Sequence, residues 1–321
     1  MPTTTLALPI KMLSLALLFK MLLVGLVVST EAQDVAAPAA AEDEALRKRI
    51  ETYLDAAAQH GHFCGSVLVA RQGRILVEKG YGLANREWNL KNGAQTHHRI
   101  ASITKSFTAA LVLKLVEEEK LNLDKKIVDY LPDYRADTGA KVSIRNLLQH
   151  SSGIPSYTER EDFAQISSRA TVVPAEFVNS DCSGDLEFEP GKEFRYCNSG
   201  YFILGRIIEK VTGQSFADAL QKRVLKPAGL KDTGLDQSNK ILPRRATGHQ
   251  RVLNSWRRAP YVDMSVTYAA GAMYSTVADL FRWDRALRND SVLSKASREK
   301  LYDKGISNYA MGWVIERVPL V

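Results

Sequence analysis

Ser102 and Lys105, three residues apart, open a helix that is apolar on almost every face, and no other stretch constrains the chain so tightly. At that spacing the two side chains lie one turn apart on one side of a helix. Phe107, Ala109, Ala110, Leu111, Val112, Leu113, Leu115 and Val116 follow, and Glu117-Glu118-Glu119-Lys120 marks a solvated end. A helix apolar all round is buried. Burial disfavours a charged lysine, and the positive end of the helix dipole disfavours a second positive charge. Both effects push Lys105 towards the neutral amine, which can take a proton from Ser102 and make it a nucleophile. The bland alternative is an N-capping serine followed by an exposed lysine. Ser297-Arg298-Glu299-Lys300 repeats the spacing in a charge-dense segment, where the bland alternative is expected to hold.

The surrounding chain allows a large core. Of 321 residues, 45% are hydrophobic and 25% charged, an ordinary globular balance that fits one large domain or two intimately packed subdomains. Formal charge is +7, and the basic residues are scattered apart from Arg47-Lys48-Arg49 and Arg257-Arg258. Neither a zinc-finger spacing nor an RNA-binding signature is present, so nucleic acid is not an expected partner. Histidines 60, 62, 97, 98 and 249 lack metal-ligand spacing with carboxylates, so no metal and no cofactor is expected.

Residues 1–32 carry apolar runs from Met12 to Phe19 and from Met21 to Val28, punctuated by Lys11 and Lys20. Small residues follow at Ser29, Thr30 and Ala32, a pattern expected of a secretory signal peptide cut near Ala32. Lys20 interrupts a run already short for a membrane span, so no stable span is expected after cleavage. Losing these residues removes two lysines and one glutamate and leaves a formal +6. Residues 33–42, Ala-rich with Pro38, read as a linker. The expected location is periplasmic or secreted. Cys64, Cys182 and Cys197 allow at most one internal bridge, and Cys182 with Cys197 is the pair favoured by proximity.

Periodicity supplies the coarse architecture. Leu46, Ile50, Tyr53, Leu54 and Ala57 predict an amphipathic helix over 43–60. Ser66 to Ala70 and Arg74 to Lys79, joined by Gln72-Gly73, predict a hairpin. Ile127 to Leu131 precede a break at Pro132, a short helix is expected over 143–150, longer ones over 201–211 and 216–224, and little regular structure over 156–193. Thr276 and Asp279 have capping-box spacing at the head of a helix ending near Leu287, and Tyr309 to Val318 reads as a strand. Strands near both ends with a helical middle make the fold class α+β.

Ser102-Ile103-Thr104-Lys105 and Tyr196-Cys197-Asn198 resemble the first two motifs of the penicillin-recognising serine hydrolases, in the branch of class C β-lactamases, D-alanyl-D-alanine carboxypeptidases and esterases. Arg99-Ile100-Ala101, Leu147-Leu148-Gln149-His150-Ser151-Ser152-Gly153, Phe188-Glu189-Pro190-Gly191, Asn198-Ser199-Gly200-Tyr201 and Ala270-Gly271 with Ser275-Thr276 resemble further family landmarks. The resemblance runs from about Gly65 to the C-terminus. It implies a β-lactamase/transpeptidase-like fold, an antiparallel sheet flanked by helices with an inserted, mainly helical region, over residues 43–321. It makes Ser102 the nucleophile of an acyl-enzyme, Lys105 its proton partner, and Tyr196 a base or proton shuttle whose phenol must titrate below its ordinary value of about 10. Asn198 would hold the substrate amide and orient Lys105, and the Ser102 N–H would supply half an oxyanion hole. His150 resembles a hydrogen-bonded scaffold residue. A Ser-His-Asp hydrolase is disfavoured because the chain has no Gly-x-Ser-x-Gly elbow.

The resemblance departs at its end. The family's third motif, Lys-Thr-Gly or His-x-Gly, follows the segment matched here by Tyr309-Ala310-Met311-Gly312-Trp313, and no such motif precedes Val321. The expectation is a C-terminally incomplete member with late sheet strands missing and activity impaired, since losing one oxyanion donor costs about 10²–10³ in rate. Substrates expected of the family are β-lactams, D-Ala-D-Ala-type or peptidoglycan-derived peptides, or small esters. The alternative is a non-catalytic, penicillin-binding-like module that holds cell-wall peptide or a protein partner.

Overall fold

A computed structural model describes residues 36–163, 167–253 and 255–317. The segment read as a signal peptide lies outside them, as does Val318. The chain divides into a unit ending at Ala45 and a second, Leu46–Val321. Helix α1, Ala36–Gln59, begins seven residues before the periodicity does, so residues 36–42, read above as linker, are helical. Alanine has the highest helix propensity, and here it carries the helix beyond its amphipathic stretch.

Strands β1 (Gly65–Arg71) and β2 (Arg74–Tyr81) form the expected hairpin. Gln72 and Gly73 both have positive φ, 52° and 79°, as a two-residue turn matching the strands' twist requires. A bulge between Val69 and Ala70 shifts the register, pairing Val69 with Val77 and Ala70 with Ile75. Strands β3 (Leu83–Asn85) and β4 (Leu90–Lys91) pair antiparallel. Strand β5 (His98–Arg99) joins β6 (Gly234–Leu235) and β9 (Met273–Ser275) in the order β5-β9-β6, and β7 (His249–Val252) with β8 (Ser255–Arg258) forms a further hairpin. The sheets are antiparallel and the middle of the chain is helical, so the α+β, β-lactamase/transpeptidase-like expectation holds.

Helix α2, Thr104–Glu117, is the centre of the core, and every residue from Thr104 to Leu113 is buried, as is Leu115. Each fully buried Leu, Val or Phe on it contributes roughly 1.5–3 kcal/mol. Phe107 stacks on Trp283 with centroids 4.3 Å apart, and the indole N–H of Trp283 donates to Ser106 Oγ at 3.2 Å. Helix α3, Ile144–Leu148, is capped by Ser143. Helix α4 runs Asn198–Thr212, starting three residues ahead of its apolar stripe, and ends on Gly213 at φ 64°. Helix α5 (Met264–Gly271) precedes β9, and α6 (Val277–Ala286) is capped as expected by Thr276, which accepts from the Asp279 N–H. Helix α7, Lys295–Leu301, is capped by Ser294.

Three further expectations are corrected. Tyr309 to Val314 is no strand but a tight return through Gly312, closed by a single bridge between Tyr309 and Val314. A Cβ on Gly312 would stand 2.8 Å from the Lys105 carbonyl oxygen, so tertiary contact with α2 sets this conformation and strand propensity does not. The helix expected over 216–224 is a short α-helix, Phe216–Leu220, that continues as one π-turn, Gln221–Leu225. Cys182 and Cys197 are both buried free thiols, and Cys197 Sγ donates instead to the Ile154 carbonyl at 3.1 Å.

Candidate active site

Ser102 stands in a single 3₁₀ turn, Ala101–Ile103, between β5 and α2. The turn is fixed from behind. The Ile100 N–H donates to the Met273 carbonyl at 2.9 Å, and Arg99 Nε bonds Asp236, whose buried carboxylate also receives Arg245. Ala101 takes φ 44°, a left-handed conformation that an alanine adopts only where its surroundings impose it. The result lifts the Ser102 side chain to the surface while Lys105 remains in the core at 1% exposure. That exposure excludes the capping alternative: the residue at the cap of α2 is Ile103, which makes no side-chain cap bond.

Lys105 Nζ has three partners. Asn198 Oδ1 and the Ala270 carbonyl each lie at 2.8 Å, and Ser102 Oγ lies at 3.2 Å. Burial lowers its pKa from 10.5 to about 7. A neutral amine has two N–H groups and one lone pair. Two good acceptors occupy the N–H groups, which leaves the lone pair for Ser102.

Tyr196 OH donates to Ser102 Oγ at 2.7 Å, while its ring lies 4.9 Å from Lys105 Nζ. Desolvation raises its phenol pKa, and the Ser102 bond only partly opposes this. The direction is opposite to the one that a phenolate base requires. His150 holds this tyrosine from both sides: its carbonyl accepts from the Arg195 N–H at 2.9 Å, and its Nδ1 accepts from the Cys197 N–H at 3.0 Å. Its ring is 4.3 Å from that of Tyr196, and burial, then the Lys105 charge, holds its pKa well below the ordinary value. Nδ1 is an acceptor, so the proton of the neutral ring sits on Nε2, which has no hydrogen-bond partner among the described residues.

Asn198 is the first residue of α4. Its N–H donates to Ser156 Oγ at 3.0 Å and its Nδ2 to Thr158 Oγ1 at 2.9 Å, which turns Oδ1 towards Lys105. The structure therefore brings together all four residues singled out in the sequence: Ser102, Lys105, Tyr196 and Asn198. Sequence reasoning missed Ser156 and Thr158, which cap and form part of a 3₁₀ turn (Tyr157–Glu159) inside a segment read as irregular. It also missed the role of the Ala270 carbonyl, although Ala270-Gly271 was noticed. Among the described residues no cluster of His, Cys, Asp and Glu is placed to hold a metal ion.

A serine under a buried, desolvated lysine, on a β-lactamase/transpeptidase-like fold, defines a class. Residues 43–314 match the family described as Beta-lactamase, and the chain belongs to that family. It is 30% identical over 294 residues to penicillin-binding protein 4* of Bacillus subtilis, covering 85% of this chain and 64% of that protein. A penicillin binding protein from Bacillus halodurans superposes with a TM-score of 0.72 at 26% identity, over 81% of this chain and 82% of the other. A D-stereospecific amidohydrolase from Streptomyces sp. superposes with a TM-score of 0.61 at 30% identity, over 68% and 70%. The chain spans under two thirds of the length of the curated relatives it matches, 62% and 64% for two from Bacillus subtilis. Family and structural neighbours are serine hydrolases, among them an amidohydrolase and penicillin-binding proteins.

Proposed function

We propose that this chain is an exported serine hydrolase that cleaves amide or ester substrates through an acyl-enzyme on Ser102. One observation carries the reading: Lys105 is fully buried, titrates near 7, and has both N–H groups occupied while facing Ser102 Oγ. In the acylation step neutral Lys105 takes the Ser102 proton as Oγ bonds to the substrate carbonyl carbon. Tyr196, kept protonated by burial, gives its proton to the departing nitrogen or oxygen and is recharged from the Lys105 ammonium. Water then attacks the ester on Ser102, and the same groups return Ser102 to the neutral hydroxyl. The Ser102 N–H, at the head of a 3₁₀ turn, is a donor for the developing oxyanion. Asn198 Nδ2 keeps one N–H beyond its bond to Thr158 for a substrate carbonyl.

Candidate substrates are β-lactams, D-Ala-D-Ala-type peptides and small esters, and the amidohydrolase and penicillin-binding relatives support this set. Export rests on the apolar, lysine-punctuated residues 1–32, and N-terminal sequencing of protein recovered from the periplasm or medium tests it: Gln33 is expected as the first residue. The function is tested with a fluorophosphonate and a fluorescent penicillin, the adduct being mapped by peptide mass. Label on Ser102 that vanishes in Ser102→Ala, with burst and steady-state hydrolysis of a p-nitrophenyl ester or nitrocefin, is expected. Label that persists in Ser102→Ala sinks the proposal, and labelling or binding without turnover assigns the chain to the penicillin-binding, non-catalytic alternative.

A further inference from the structure

Helix α2 carries two threonines in its apolar body, Thr104 and Thr108, four apart and flanking Lys105, and each is wholly buried. Both face the same stretch of chain. Thr104 Oγ1 accepts from the Met273 N–H at 3.1 Å, and Thr108 Oγ1 donates to the Ala269 carbonyl at 2.7 Å. Lys105 donates to the next carbonyl, that of Ala270, at 2.8 Å. One face of α2 therefore grips residues 269–273 at three points, Ala269, Ala270 and Met273.

The gripped stretch is not relaxed. Tyr268 has φ 35° and ψ −128°, which breaks the helical path of α5. These angles approach those of the first central residue in a type II′ turn, a place that glycine fills by default. A buried tyrosine holds such a conformation only where packing over-determines it. The packing is visible. Its ring lies 4.9 Å from Phe202 and 5.2 Å from Phe216, and Gly205 of α4 makes room for the turn. A Cβ on Gly205 would stand 2.6 Å from Ala269 Cβ and would also collide with the Tyr268 ring. Because of this turn the carbonyls of Ala269 and Ala270 point into α2 and not along α5.

We infer that Thr108 is a positioning residue, which, with the Tyr268 turn seated on Gly205, holds the Ala270 carbonyl against Lys105 and so aims the lysine lone pair at Ser102. The inference rests on the proposed role of Lys105 and extends it. Without the second acceptor, the amine can rotate an N–H towards Ser102 Oγ and lose its use as a base. Thr108 touches neither substrate nor reacting atoms, so its effect appears in the rate of acylation and not in binding.

The test compares wild type, Thr108→Val, Thr108→Ser and Gly205→Ala, with folded fraction fixed by thermal melting and active sites counted by fluorophosphonate burst. Thr108→Val keeps the shape and loses the hydroxyl; its acylation rate is expected to fall about 10- to 100-fold with KM within about twofold, the scale of a small misplacement of a reacting group. Thr108→Ser restores the hydroxyl and is expected to recover the rate to within about threefold of wild type. Gly205→Ala pushes the same turn from its other side and slows acylation in the same direction, which keeps the test decisive if the valine variant does not fold. A folded Thr108→Val or Gly205→Ala at wild-type rate overturns the inference, as does a serine variant as slow as valine. Acylation that survives Lys105→Ala would instead overturn the parent reading. Loss in Lys105→Ala beside an unaffected Thr108→Val removes this inference alone.

Discussion

Two segments of this protein share a Ser-x-x-Lys spacing and nothing else. At Ser102 the serine is exposed and the lysine buried; at Ser297 the serine is buried and Lys300 is exposed. Ser297 is a structural residue, its N–H donating to the capping oxygen of Ser294 at 3.3 Å inside α7. The Ser102 copy is turned inside out relative to it by one left-handed residue, Ala101, and by the partners that descend on Lys105 from α4 and α5. Spacing places two side chains on one side of a helix. The identity of the side that faces the core decides whether a lysine is a solvated cation or a base.

The largest difference between the two copies lies in rate. Lys105→Met is expected to slow acylation of Ser102 by about 10²–10⁴, the usual contribution of a positioned general base, and Lys300→Met to leave it within about twofold. In the unsubstituted protein the acylation rate falls as pH drops below about 7, because Lys105 must be neutral to accept a proton. A profile flat from pH 5 to 8 breaks the comparison, since both lysines would then behave as spectators.

The next difference lies in stability. Lys105 titrates near 7 in the folded chain against an ordinary 10.5, so between those values the unfolded chain holds the extra proton. The cost of burying the lysine is complete below pH 7, shrinks by about 1.4 kcal/mol per pH unit above it, and is gone near 10.5. Denaturant unfolding from pH 7 to 9.5 is therefore expected to show wild type gaining on Lys105→Met by several kcal/mol. The smallest effect belongs to the cap beside the second copy: Ser294→Ala costs about 1 kcal/mol in chemical denaturation, with hydrolysis per folded molecule unchanged.

Much of this was legible in the sequence. The Gln72-Gly73 hairpin, the Thr276 cap and the burial of α2 are local patterns, and each is written in a few consecutive residues. Ser102, Lys105, Tyr196 and Asn198 were legible as motifs. What escaped is held by long-range contact. Tyr309 to Val318 has strand composition, yet Gly312 pressed against the Lys105 backbone turns residues 309–314 back on themselves. The break at Tyr268 has no local signature, because a tyrosine in that conformation is selected by Phe202, Phe216 and the missing side chain of Gly205. The direction of the Tyr196 shift was misread for a related reason. A neighbouring cation would have favoured phenolate, but Lys105 loses its charge to the same burial that desolvates the phenol.

The partners of Lys105 also set an order in time. Asn198 lies 93 residues after it along the chain, and Ala270 lies 165 after it. During synthesis Ser102 and Lys105 emerge together, long before either acceptor exists, and for that interval the lysine is an ordinary hydrated cation and the serine an ordinary alcohol. Reactivity therefore comes only with the closing of the most distant contacts, which form late because their loops are long. Ser102 thus gains its partner base only once Ala270 has been made and has packed against α2.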